Sequence, residues 1–143
     1  RAFSIFIFNT KGEMLLQQRA FSKYHTPGLW TNTCCSHPRH EESLEDATVR
    51  RLKEEMGMSC EIKEAFHFTY KADVSQGLIE HEIDHVFIGV TDDTPIINTD
   101  EVASWKYDTM ENIREDIATN PQNYTAWFKI AFEEVLKHFN KQN

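Results

Sequence analysis

The segment Thr31–Pro38 reads TNTCCSHP, with two adjacent cysteines, Cys34 and Cys35, just ahead of His37. Such a stretch is a candidate metal site, a redox pair, or a catalytic thiol beside a metal ligand. Residues two apart in a strand share a face. Cys35 and His37 therefore point the same way and Cys34 points to the other side, so one thiol can line a pocket while the other enters the core. Taken alone, the segment favours two small buried hydrophobes, a common fate of free cysteine. A structural zinc site is weaker still, because no second Cys-x-x-Cys pair exists.

The stretch IEHEID repeats this geometry, with Glu80 and Glu82 on one face and His81 on the other. A solvated strand face is the plain interpretation. Yet apolar residues flank the segment, and two neighbouring carboxylates there resist ionising together unless a cation joins them. They suit a metal, or a proton transfer in which one of them gives or takes the proton. Further along the candidates, Arg50 and Glu54, and Arg51 and Glu55, are spaced i,i+4. Singly, each pair reads as a solvated ion pair worth roughly 0.2–0.5 kcal/mol. Arg19 and Lys23 flank the loop bent at Pro27-Gly28 and place positive charge near it. Of the seven histidines, only His37 is tied by spacing to other reactive groups, while His40 and His138 read as surface residues.

The elements that must position these groups come from a chain of 143 residues, about one domain. The net charge of −8 excludes general nucleic-acid binding, so a phosphate-bearing ligand needs its own local cluster of Arg and Lys. No apolar run approaches the roughly 18 residues of a membrane span. Three cysteines form no disulfide framework, and adjacent cysteines bridge only under strain. A reducing, cytoplasmic setting fits this usage. The chain begins at Arg1 and is read as a single domain, residues 1–143, lacking an N-terminal segment.

FSIFIFN and EMLLQQRA read as strands around the NTKG turn. KYHTPGLW is a loop, and TNTCCS is a short strand. Ser43 is a good N-cap with Asp46 in the capping-box position, and Gly57 is a good C′ residue, which predicts a helix over Leu44–Met56. IKEAFHFTYKA and IEHEIDHVFIGV are long strands around a Ser-Gln-Gly turn, and VASWKYD is a further strand. MENIREDIATN and YTAWFKIAFEEVLKHF are helices. This order predicts an α/β (α+β) fold, a mixed sheet packed between helices.

WTNTCCSHP, RRLKEEMG and IEHEID, in that order, resemble the type 1 isopentenyl-diphosphate isomerases of the Nudix superfamily, from RAFS to TAWF. Three separated motifs in register are far more specific than one. The helix is also similar to the Nudix hydrolase box, keeping Glu42, Arg50, Leu52, Glu54, Glu55 and Met58. Ser36 replaces its first Gly, and Arg51 stands where the box requires a metal-binding Glu. A cation there repels Mg²⁺ and argues against a diphosphate hydrolase, the second reading; a non-catalytic Nudix-like module is the third. The resemblance implies that Cys35 and Glu82 are the proton-transfer pair that moves the double bond of isopentenyl diphosphate through a carbocation. It makes Trp127 the aromatic face for that cation and Tyr70 the residue orienting Glu82. It assigns Arg19, Lys23 and Arg51 to the diphosphate and Glu55 to the Mg²⁺ carried by it. His37, Glu80 and Glu82 match three ligands of a second divalent metal, Mg²⁺, Mn²⁺ or Zn²⁺. In the family two more ligands are histidines upstream of RAFS. No histidine of this chain is expected to replace them: His25 sits in the Pro-Gly loop and His81 faces away. The second metal is therefore expected to bind this chain weakly or not at all.

Overall fold

The computed structural model describes residues 1–75 and 78–142, and side chains within 72–80 and at 142 fall outside that description. Gln76 and Gly77 of the expected Ser-Gln-Gly turn therefore lie outside the described residues. The elements run β1 Ala2–Phe8, β2 Met14–Arg19, β3 Trp30–Thr31, β4 Cys34–Ser36, α1 Leu44–Met56, β5 Ile62–Ser75, β6 Leu78–Val90, β7 Val102–Asp108, α2 Met110–Thr119 and α3 Ala126–Gln142. They form the expected mixed sheet between helices. β1 pairs in parallel with β6, and the other pairings between these strands are antiparallel among the described residues.

Strand β1 alternates strictly and builds a core on each face. Phe6 and Phe8 pack with Val86, Ile88, Ile113, Phe128 and Phe132 under α2 and α3. Phe3, Ile5 and Ile7 pack with Leu44, Leu52, Met56 and Phe87 under α1. No helix among the described residues is long and apolar enough to cross a membrane.

Helix α1 has the predicted ends. Ser43 accepts a hydrogen bond from the Asp46 N–H at 3.1 Å, and Gly57 closes the helix in the left-handed region at φ 62°. A Cβ at Gly57 would meet the Ile96 carbonyl oxygen at 2.4 Å, so both conformation and space require glycine. Before the helix, Arg50 grips Glu42 through Nε at 2.8 Å and Nη2 at 2.9 Å, while the Arg39 N–H donates to the same carboxylate. The bonds from Arg50 and then Arg39 hold the Glu42 carboxyl at about 2, below the ordinary glutamate range. A lowered carboxyl stabilises the fold above its unfolded pKa and loses that contribution as the pH falls toward its folded one. Glu42→Gln should thus melt below the wild type at about pH 7, with a gap that narrows toward about pH 3. A gap of equal size at both pH values would show that the pair does not carry this linkage.

One expected strand is two. TNTCCS breaks at Asn32-Thr33, where side chains take over from the ladder. Asn32 Nδ2 donates to the carbonyls of Ile5 and Cys34, and Thr33 Oγ1 accepts from the Ile7 N–H and donates to the Leu15 carbonyl. The break lets the chain leave β2, which pairs with β3, and join β1 through β4. The last helix starts at Ala126 rather than Tyr124, because Tyr124 bridges to Trp30 in extended backbone.

Candidate active site

The β4 insertion arranges the chemistry. Ser4 of β1 has Cys35 as its partner on one side and Val86 of β6 on the other. The thiol of Cys35 and the carboxylates of β6 therefore rise from strands flanking β1, above a floor that includes the small residues Ala2 and Ser4. A cavity of about 240 Å³ sits there. Cys35, His37, Glu82, Tyr70 and Trp127 line it, together with Arg19, Lys23, Arg51 and Glu55. Every site residue named from the sequence lines this one cavity, except Glu80, whose side chain lies outside the described residues. Cys34 is fully buried in the core beneath α1, on the opposite side from Cys35, as strand alternation requires.

Burial first, and then the Glu55 carboxylate, push the Cys35 thiol up to about 12, against the opposing pull of Arg19. The thiol is thus neutral at rest. Arg19 Nη1 approaches its sulfur at 4.0 Å and Nη2 donates to the His25 carbonyl at 3.3 Å. The Arg19 guanidinium also lies 5.7 Å from the centre of the Trp127 ring. That ring already presents its π face to a cation in the cavity. Its Nε1 donates to Asn32 Oδ1 at 3.2 Å, so the residue that breaks the strand also holds the indole.

Across β1, Glu82 bonds through Oε1 to His37 Nε2 at 2.9 Å and accepts through Oε2 from the Tyr70 hydroxyl at 3.4 Å. Burial, and next the Glu82 charge, raise the Tyr70 hydroxyl well above the tyrosine range, so it stays a donor. Below the expected ion pairs, the structure differs from solvated surface charge. Glu55 is buried, its Oε1 accepting from Gln17 Nε2 at 3.1 Å and its Oε2 gripped by Arg51. Arg51 also reaches Glu54 at 2.8 Å and Glu101 at 3.4 Å, and Lys23 pairs with the same Glu101. Burial works against the Arg51 charge, but Glu55, Glu54 and Glu101 together outweigh it, and the guanidinium stays charged.

Three residues at the site were not among those expected from the sequence. Asp84, two past Glu82 on the same face, is buried; burial above all pushes its carboxyl up to about 6, against a hydrogen bond from Ser4 Oγ at 2.8 Å. His25, expected to lie apart in its loop, lines the cavity as well. Glu101 supplies the counter-charge to Lys23 and Arg51. Charge alternation could have flagged Asp84, since IEHEID places three acids at period two; nothing local marks the other two.

The cavity suits ions of both signs. Among the described residues, Arg19 Nε and Arg51 Nε are buried donors without a protein partner, as suits a bound anion. Asp84 Oδ1 is a buried acceptor without a partner among the described residues, beside the His37–Glu82 pair, and imidazole with carboxylates is a donor set for a divalent cation. The residues present fit both groups.

The fold is that of a Nudix protein. The NUDIX domain profile matches residues 1–128, and the chain belongs to that family. A MutT protein from Methanosarcina mazei superposes with a TM-score of 0.76 at 19% identity, covering 99% of this chain and 94% of that one. Within the family, the chain belongs with the isopentenyl-diphosphate Delta-isomerases. It is 48% identical over 135 residues to the isopentenyl-diphosphate Delta-isomerase of Pectobacterium atrosepticum, covering 94% of this chain and 75% of the relative. It is 54% identical over 129 residues to isopentenyl-diphosphate Delta-isomerase 2 of Photorhabdus laumondii, covering 90% and 73%.

Proposed function

We infer that this chain interconverts isopentenyl diphosphate and dimethylallyl diphosphate, an isomerase step of isoprenoid biosynthesis. The observation that carries the reading is the convergence of a thiol, a carboxylate and a π face on one cavity whose rim is cationic.

The diphosphate takes the unpaired guanidinium donors of Arg19 and Arg51, with Lys23 beside them, and its charge replaces that of Glu101. The hydrocarbon tail then lies over Ala2 and Ser4. One proton adds to the terminal alkene carbon, and the π pair forms the new C–H bond, leaving a tertiary carbocation. A second proton leaves the neighbouring methylene, and its C–H pair becomes the new double bond. Cys35 and Glu82 are the two groups placed to give and take these protons from strands on opposite sides of β1. Each acts as acid in one direction and base in the other, because the reaction is reversible. Tyr70 donates to the Glu82 carboxylate and keeps it aimed inward. Divalent ions, one held by His37 and Glu82 with Glu80 as the ligand the family pattern adds, and Mg²⁺ carried by the diphosphate against Glu55, would supply charge neutralisation and fix the carboxylates. A reducing cytoplasmic setting keeps the Cys35 thiol free for this work, in keeping with three unbridged cysteines.

Arg51 bears on the hydrolase alternative. It occupies a position on α1 where diphosphate hydrolysis needs another carboxylate for metal, and its cation instead serves the substrate.

The carbocation step is tested at Trp127. A desolvated cation–π contact is worth about 2 kcal/mol, or roughly 30-fold in rate. Trp127→Phe and Trp127→Leu both lose the bond to Asn32, so their difference isolates the π face. The Leu variant should lose roughly 30-fold in kcat and the Phe variant clearly less. Equal rates in two folded variants would remove the aromatic face from the reaction.

A further inference from the structure

On the face of β6 opposite Glu82 and Asp84, a second group of metal-ligating side chains comes together. Glu64, His67 and His85 each offer one ligand atom, and these atoms all lie within 4.8 Å of one another. His67 and His85 are direct partners across the antiparallel β5–β6 pair, with ring centres 5.5 Å apart. Strict alternation would send Glu64 to the other side of β5, since it is three residues from His67. It does not go there, because the register shifts between Glu64 and Phe66. Ala65 is the extra residue of this bulge. Glu64 then pairs with Phe87 and His67 with His85, and the two partners are two apart on one face of β6. Bulges of this kind re-aim a side chain, and here the bulge turns Glu64 to His85, with Oε2 2.7 Å from Nδ1.

We propose that Glu64, His67 and His85 form a second, surface site for a borderline transition-metal dication of the zinc class, separate from the cavity. Two imidazoles and one carboxylate are a donor set for Zn²⁺ with a solvent position left open. The same set suits Mg²⁺ poorly, because that ion prefers oxygen ligands. The ion takes the place of the direct His85–Glu64 contact and draws in His67. Phe87, the cross-strand partner of Glu64, is buried in the α1-side core. Glu64 is 37% exposed and His85 21%, so an ion enters from solvent without opening the fold.

The test removes the competing ligands of the cavity first. In a Cys35→Ala/His37→Ala background, metal-free protein is titrated with Zn²⁺ against a chromogenic chelator, with Co²⁺ absorption as a second reading. The expected result is one zinc per chain and a Co²⁺ spectrum of four-coordinate intensity. Adding His67→Thr or His85→Thr should weaken zinc by at least about tenfold, as loss of a supporting ligand does; adding His40→Ala should not. Threonine suits a strand, and circular dichroism confirms the fold of each variant. An excess of Mg²⁺ should leave the zinc bound. Zinc affinity unchanged by both threonine variants, or no zinc bound in the background protein, would overturn the site. Failure here would leave the isomerase reading untouched, since the background protein already lacks Cys35 and His37.

Discussion

Cys35→Ala is expected to abolish isomerisation, with kcat falling by roughly 10²–10⁴-fold while KM stays within a small factor. The thiol faces the cavity beside Arg19, and its removal takes away one of two proton-transfer groups without touching Lys23 or Arg51. Cys34→Ala is the matched control. Its sulfur is buried under α1, 3.5 Å from Glu55 Oε1, so the variant should lose about 1 kcal/mol of stability and keep most of its activity. Steady-state kinetics and thermal melts of the two variants separate the roles. A folded, inactive Cys34→Ala beside an active Cys35→Ala would invert the assignment.

Glu82→Gln should cost a similar factor, roughly 10²–10⁴ in kcat. The amide keeps the shape of the side chain but cannot carry the proton. Tyr70→Phe removes only the donor at 3.4 Å and should cost about tenfold, the worth of one hydrogen bond. Glu82 also bonds His37, so metal content is measured alongside the rates. His37→Asn removes that bond together with the imidazole ligand and should lower metal affinity more than it lowers the rate of the loaded enzyme. A nearly active Glu82→Gln beside a dead Tyr70→Phe would make the phenol, and not the carboxylate, the proton-transfer group.

Part of the cavity was legible because its residues are spaced by regular structure, whereas Trp127 and Tyr70 were named only through the family resemblance, which also assigned Arg19 and Lys23 to the diphosphate. Period two separated Cys35 from Cys34, and the i,i+4 pair put Arg51 against Glu55 on α1. The capping residues Ser43 and Gly57 bounded that helix without help from tertiary contacts. What escaped notice depends on irregular backbone or on distant partners. The Asn32-Thr33 break is made by side-chain bonds to β1 and β2, which a strand pattern does not encode. Glu101 meets Arg51 and Lys23 only after the chain has returned over 50 and 78 residues. The solvated appearance of the Arg51–Glu55 pair was misleading for the same reason, since burial of Glu55 comes from Gln17 and Cys34 on other elements. The bulge at Ala65 hid the Glu64–His85 contact, because alternation assigns those residues to opposite faces.

The central claim is that this cavity moves a double bond and leaves the diphosphate whole. Isopentenyl diphosphate and Mg²⁺ incubated with the protein, followed together by proton and phosphorus NMR, test it most directly. The account predicts growth of the dimethylallyl methyl signals to an equilibrium mixture, with both diphosphate resonances intact and no free phosphate. Release of inorganic phosphate from the substrate, or unchanged isopentenyl diphosphate in the presence of folded protein, would contradict it.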